Sequence, residues 1–173
     1  MSIESMMWLF PIVFMIHEFE EIIFLPRWMK KNSIDLHKKI PHIAQKMVLR
    51  LEALSTAAFA VAVFEEFILL SVLTLFCVEG GLYSLFAAVT IGYLVHVVIH
   101  LAQAMFLRRY IPAVGTGLFT GVYSIFSLYY LHLLGLLNWN QIIFLLPIVI
   151  FIIAVNLIFC HSIARRMETR WKA

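Results

Sequence analysis

Residues 6–25 read MMWLFPIVFMIHEFEEIIFL. A helix of that length rises ~1.5 Å per residue and is ~30 Å long, the thickness of a bilayer's hydrocarbon core. The first half is apolar, but the second half carries His17, Glu18, Glu20 and Glu21. One ionisable side chain at the bilayer centre costs ~2.5–3.5 kcal/mol on insertion scales. A segment with four such groups therefore either avoids lipid or is built around something that offsets them. Without a basic start, and with Pro11 inside, it does not read as a cleavable signal peptide. Pro26 reads as its end.

The rest of the chain decides for the membrane. Of its 173 residues, 63% are apolar and 13% charged, where soluble domains carry roughly a quarter charged residues. A soluble domain is excluded, and aromatics at 14% exclude disorder. The net charge of +3 is too small, and too clearly placed beside apolar blocks, for a nucleic-acid partner. Cys77 and Cys160 cannot form a disulfide scaffold. Four more apolar blocks follow, at about 53–77, 82–107, 113–137 and 142–164. Glu79-Gly80-Gly81, Arg108-Arg109-Tyr110-Ile111-Pro112 and Asn138-Trp139-Asn140 separate them. The expectation is one all-α domain over 1–173, a bundle of five transmembrane helices.

Charge placement orients the bundle. Of the 13 Lys and Arg, seven lie in 26–50, two are Arg108 and Arg109, and four lie in the tail 165–173. The amino terminus and the other two connections hold none. Five spans put all the basic segments on one face, which the positive-inside rule makes cytoplasmic. The chain is expected in the cell inner (plasma) membrane, with its amino terminus outside and its carboxyl terminus cytoplasmic. In 26–50, Trp28, Met29, Ile34, Leu36, Ile40, Ile43 and Met47 alternate with lysines. That mixture reads as an interfacial amphipathic segment lying on anionic inner-leaflet lipids.

Polar groups inside the spans mark the candidate site. Counted from the span ends at ~1.5 Å per residue, His17, Glu20, Glu21, Glu66, His96, His100 and Asn156 fall in one slab, in the middle to inner half of the membrane. His17 shares a helix face with Glu20 (i+3) and Glu21 (i+4), and His96 and His100 are also i and i+4. Tyr93 and Gln103 extend that second stripe. A stripe through Ser55, Phe59, Ala62 and Glu66 favours Glu66 over Glu65 as the inward group. Thr116, Thr120, Tyr123, Ser127 and Tyr130 form a polar face on the fourth span. No Lys or Arg lies within a span to neutralise the carboxylates. Three imidazoles and several carboxylates, with no thiolate, suit one or two divalent ions, zinc or iron. His17, Glu20, Glu21, Glu66, His96 and His100 are the expected ligands. Glu18, turned away from them, is the expected catalytic base. A proton relay through neutral carboxylic acids, or structural interhelical hydrogen bonding, would use the same residues. His37, His42, His132 and His161 lie at or beyond the membrane surfaces and are expected to stand apart.

The His17-Glu18-Phe19-Glu20-Glu21 run resembles the signature of the HXXEE family of bacterial integral membrane proteins. His96-x-x-x-His100, Arg109-Tyr110-x-Pro112 and Thr116 extend the resemblance. Ala113 stands where relatives tend to show Gly, and Ala62 replaces the Asn of an Asn-x-x-x-Glu element ending at Glu66. The resemblance implies a membrane site and names no reaction. The favoured function is a membrane metalloenzyme, a hydrolase or iron-dependent oxidoreductase acting on a lipophilic substrate. A small proton- or ion-coupled transport protein and an accessory membrane subunit are the alternatives. Expected partners are the bilayer, anionic inner-leaflet lipids, a lipophilic small molecule and, left open, further copies of the chain.

A reporter fused after Ala173 is expected to read cytoplasmic, and one placed at Ser2 external. An external carboxyl terminus would overturn the five-span topology.

Overall fold

The computed structural model describes residues 1–172 apart from 42–44, 46, 47 and 50. Five long helices make up the fold: α1 (Ile3–Lys39), α2 (Thr56–Glu79), α3 (Tyr83–Leu107), α4 (Val114–Leu133) and α5 (Trp139–Lys172). No strand occurs among the described residues. Four helices, α2 to α5, are long and apolar enough to cross a membrane. In α1 the run of Glu18, Glu20 and Glu21 interrupts what would otherwise be a comparable apolar window.

The helix starts follow capping chemistry. Ser2 accepts from the Ser5 N–H at 3.1 Å, and Ser55 accepts from the Ala58 N–H at 3.2 Å. Each satisfies one of the orphan donors of a first helical turn. The Ser55 N–H donates to Glu168 at 2.9 Å, which ties the start of α2 to the end of α5. Gly81, at φ +60°, makes the turn between α2 and α3.

Pro26, expected to end the first span, does not. α1 runs through Pro26 to Lys39, so its carboxyl half replaces much of the expected interfacial segment. A proline deletes one backbone donor, a cost of about 3 kcal/mol, and tertiary contacts offset it here. Met29 and Leu36 are buried against Val48, Leu107 and Ile111. Trp28 Nε1 donates to the Tyr110 carbonyl at 2.9 Å, and Arg109 binds Asn32 and Asp35. His37 lies 3.2 Å from Glu52. The parts of that segment at 42–44, 46, 47 and 50 lie outside the described residues. Likewise α5 contains Pro147 and continues past residue 164 into the expected tail.

Contacts arrange the helices in a ring, in the order α1, α2, α5, α3, α4. Pairings along each seam fix the directions. Tyr123 donates to the Met6 carbonyl while Thr116 meets Glu20, so α1 and α4 are antiparallel. Ser55 meets Glu168 and Glu66 meets Cys160, so α2 and α5 are antiparallel. α3 and α5 run parallel, from the Ser84–Asn138 contact to Gly92 beside Ile153. A Cβ on Gly92 would lie 2.8 Å from Ile153 Cδ1, so this glycine lets α3 and α5 approach. The basic segments thus meet at one end of the bundle. Met1, Tyr130, Asn138 and Ser84 mark the other.

The bundle is polar inside and apolar outside. His17, Glu18, Glu20, Glu21, Thr90, Thr120, Ser124 and Ser127 are buried, while Phe24, Phe64, Phe106, Phe119, Phe144 and Phe151 are exposed. The polar face expected on the fourth span points inward, as α4. Toward the non-basic end the interior is dry. Met6, Met7, Phe10, Phe86, Leu131 and Tyr93 fill it, with Phe10 edge-on to Phe86 and Tyr93.

One turn is strained. Ala113, buried just before α4, has φ +92°, a left-handed conformation that favours glycine. This is the position where the resemblance noted in the sequence led to the expectation of a Gly. Ala113→Gly should therefore raise stability by on the order of 1 kcal/mol, since relief of left-handed strain exceeds the added flexibility of the unfolded chain. Unfolding in mild detergent checks this. Destabilisation would show that the turn is relaxed.

Candidate metal centre

His17 and Glu21 lie one helical turn apart and project from α1 into the ring. His96 and His100 project from α3 across the interior. The four are brought together, with one donor atom from each lying within 4.8 Å of all the others. His17 Nε2 is 3.3 Å from His96 Nε2, and His96 Nε2 is 3.0 Å from His100 Nε2. His100 Nε2 is 3.0 Å from Glu21 Oε1.

Proton counting shows why this arrangement suits a cation. An imidazole nitrogen holds either one hydrogen or one lone pair in the ring plane. His96 Nε2 faces the Nε2 atoms of both His17 and His100 with a single hydrogen or lone pair to offer, so it cannot make a full hydrogen bond to each. Glu21 Oε1 is buried without a hydrogen-bond partner despite its closeness to His100, and His100 Nδ1 is also without one. A buried carboxylate oxygen left in this state costs on the order of 1–3 kcal/mol or more. A divalent ion accepting four lone pairs would remove the cost, and imidazole with carboxylate is a donor set for zinc or iron.

Tyr93 packs the site from below. Its ring is edge-on to His17 at 5.7 Å between centroids and stacked on His96 at 6.1 Å, and its hydroxyl donates to Thr120 at 2.8 Å. On α4, Gly117 backs onto the same histidine. A Cβ there would sit 3.5 Å from His17 Cε1, so this position keeps α4 close to the imidazole.

Two of the six expected ligands lie outside the group. Successive helix residues are about 100° apart around the axis, so Glu20 points toward α4 where Glu21 points toward α3. Glu20 accepts from the Tyr110 hydroxyl, and from the Thr116 N–H at 2.8 Å and hydroxyl at 2.6 Å. It thereby caps α4. Glu66 accepts from the Cys160 thiol at 2.8 Å, across the α2–α5 seam. Its neighbour Glu65 accepts from Asn156 at 3.2 Å, so the half-buried carboxylates at 65 and 66 both face α5. Glu18 is buried, with Glu21 and Glu66 as its electrostatic neighbours. His37, His132 and His161 are not members of the group, and His42 lies outside the described residues.

Sequence reasoning did not foresee Tyr110, Thr116 and Cys160 as partners of these carboxylates. Thr116 was visible in a polar stripe and, with Tyr110, in the family resemblance, but neither signal pointed to Glu20. Cys160 gave no periodic signal at all.

A family model described as "Protein of unknown function with HXXEE motif" matches residues 8–130. The chain belongs to the HXXEE family. No curated protein and no solved structure matches it. The motif's His17 and second Glu, Glu21, are the two that join the metal group, while its first Glu, Glu20, caps α4. All four members of the group fall inside the family match, whereas α5 falls outside it.

His17→Ala, His100→Ala and Glu21→Ala should each abolish stoichiometric metal binding, and His132→Ala should not. Combining His17→Ala with Glu21→Ala should lower stability by clearly less than the sum of the two, because one ion is lost only once. Additive losses with unchanged metal content would mean that these residues make separate hydrogen bonds.

Proposed function

We propose that the chain is a membrane-embedded metal-binding protein, with all five helices crossing the bilayer and the basic end cytoplasmic. The observation that carries this reading is the convergence of His17, Glu21, His96 and His100 inside a bundle whose outer surface is apolar. Placing α1 in the bilayer is supported by its antiparallel seams with α2 and α4, which leave it no route outside the ring.

Within that reading we favour a metalloenzyme acting on a lipophilic substrate. A bound zinc or iron ion would supply Lewis acidity and an activated water or oxygen ligand. The chain's own residues do the rest. Three imidazoles and Glu21 would hold the ion, and Tyr93 with the apolar layer around Phe10 packs its non-basic side. Glu18, buried with Glu21 as an electrostatic neighbour, would take up a proton in this reading. An apolar exterior lets a membrane-dissolved substrate approach laterally. The donor count bears on the metal. Four protein ligands complete a tetrahedral zinc site, which is then structural, whereas iron of higher coordination keeps open positions. Catalysis therefore goes with iron, or with zinc after one ligand is displaced.

The specific support for the second reading, ion- or proton-coupled transport, is the row of carboxyls from Glu21 through Glu18 to Glu66 and Glu65. Such a row could relay protons or a cation.

Elemental analysis of protein purified without chelator separates these readings. About one equivalent of zinc or iron, absent from His17→Ala, is the expected result. Transition-metal content at background in both proteins would overturn the metal reading and leave the proton-relay one.

A further inference from the structure

The contacts of Glu20 fix the proton position on His17. Thr116 has a single hydroxyl hydrogen, and it goes to Glu20 Oε2 at 2.6 Å. The Thr116 N–H goes to the same oxygen at 2.8 Å, and the Tyr110 hydroxyl donates to Oε1. An ionised carboxylate only accepts hydrogen bonds, so the Thr116 hydroxyl cannot turn away without leaving Glu20 short of a donor. What Thr116 Oγ1 then offers His17 Nδ1, 3.4 Å away, is a lone pair. That contact is favourable only when Nδ1 carries the hydrogen. The lone pair of His17 is thereby left on Nε2, the nitrogen that faces His96 and the rest of the group.

We propose that Tyr110, Glu20 and Thr116 form a clamp that holds His17 in the Nδ1–H tautomer, ready to ligate through Nε2. The inference rests on the metal reading for its purpose but not for its test, because the tautomer exists before any ion arrives. Tyr110, Glu20 and Thr116 are positioning residues. They act through His17 and do not belong to the converging group. The clamp also explains why the HXXEE motif needs adjacent carboxylates with different fates. Glu21 joins the group, while Glu20 orders a partner on α4 that orders His17. The reach to Tyr110 links the site to the basic connection between α3 and α4. Gly115 makes room there, since a Cβ at that position would lie 3.1 Å from the Tyr110 hydroxyl.

The test reads the tautomer directly. In 15N-histidine-labelled, metal-free protein in detergent, the His17 signals (assigned by their loss in His17→Ala) should show a protonated Nδ1 and an unprotonated Nε2. Thr116→Val removes the acceptor and should give a mixed or Nε2–H tautomer, with zinc affinity about 10–100-fold weaker, the usual effect of losing a partner behind a ligand. Thr116→Ser keeps the hydroxyl and should restore both. Glu20→Ala should shift the tautomer in the same direction as Thr116→Val, because the hydroxyl loses its acceptor and is freed to donate to His17. If Glu20→Ala fails to fold, having lost the α4 cap, the Val and Ser pair at Thr116 still decides. An unchanged tautomer in Thr116→Val, or a loss in Thr116→Ser equal to that in Thr116→Val, would overturn the clamp. Failure of the wild-type protein to bind zinc or iron would instead count against the metal reading and leave the tautomer result standing.

Discussion

A carboxylate buried among imidazoles, with no lysine or arginine beside it among the described residues, is the constraint around which the structure is arranged. Glu21 cannot be neutralised by a cationic side chain, because the basic residues gather at one end of the bundle. Leaving a single charge uncompensated in a low-dielectric interior costs several kcal/mol. The fold brings three imidazole nitrogens to that carboxylate instead. α1 and α3 are not neighbours in the ring, and they meet through long side chains reaching across it: His17 to His96, Phe10 to Phe86 and Tyr93. The ring is wide enough at its centre for two layers, a dry aromatic one and a polar one. The polar layer is the one that suits an ion.

The neighbouring carboxylates show how one helix serves two purposes. Glu20 and Glu21 differ by a single step around α1, and that step separates a capping group on α4 from a donor in the centre. Glu20 meets the exposed N–H groups at the start of α4, where a negative charge is favourable. It is stabilised by hydrogen bonds alone, so it needs no cation. Glu21 has no such donors. The same side chain is structural in one position and calls for a ligand in the other, and the difference lies in what the facing helix offers.

This also marks how far the sequence could be read. The depth count placed His17, Glu21, His96 and His100 at one level, because rise per residue is a property of the helix itself. Helical phase put Glu20 and Glu21 on the same side of α1, but phase resolves a face and not the neighbour that the face meets. The breaks at Gly80-Gly81 and Arg108–Pro112 were legible because Gly and charge act locally. Pro26 was misread for the opposite reason. Whether a helix survives a proline depends on contacts far away in sequence, here Leu107, Tyr110 and Ile111. Glu66 was assigned as a ligand, whereas its partner is the thiol of Cys160, a residue that composition marks only as a small hydrophobe.

The two ends of the interior are not equivalent, and this bears on access. From the centre toward the non-basic end, Met6, Met7, Phe10, Phe86 and Leu131 form an apolar layer, and the buried hydroxyls of Thr90, Ser124 and Ser127 beside it donate to carbonyls of their own helices. Carboxylates lie instead beside the group: Glu18, with Glu21 and Glu66 as its electrostatic neighbours, then Glu66 with Cys160, whose sulfur is 3.6 Å from His161 Nδ1. Charged species lose solvation steeply in apolar surroundings and follow whatever polar groups are available. Under the proposed metal reading, an ion or proton would follow that lateral row, by way of Glu66 and Glu18. A membrane-dissolved substrate, under the same reading, would meet no such requirement and would enter between helices. The two would then approach the four converging donors by separate routes.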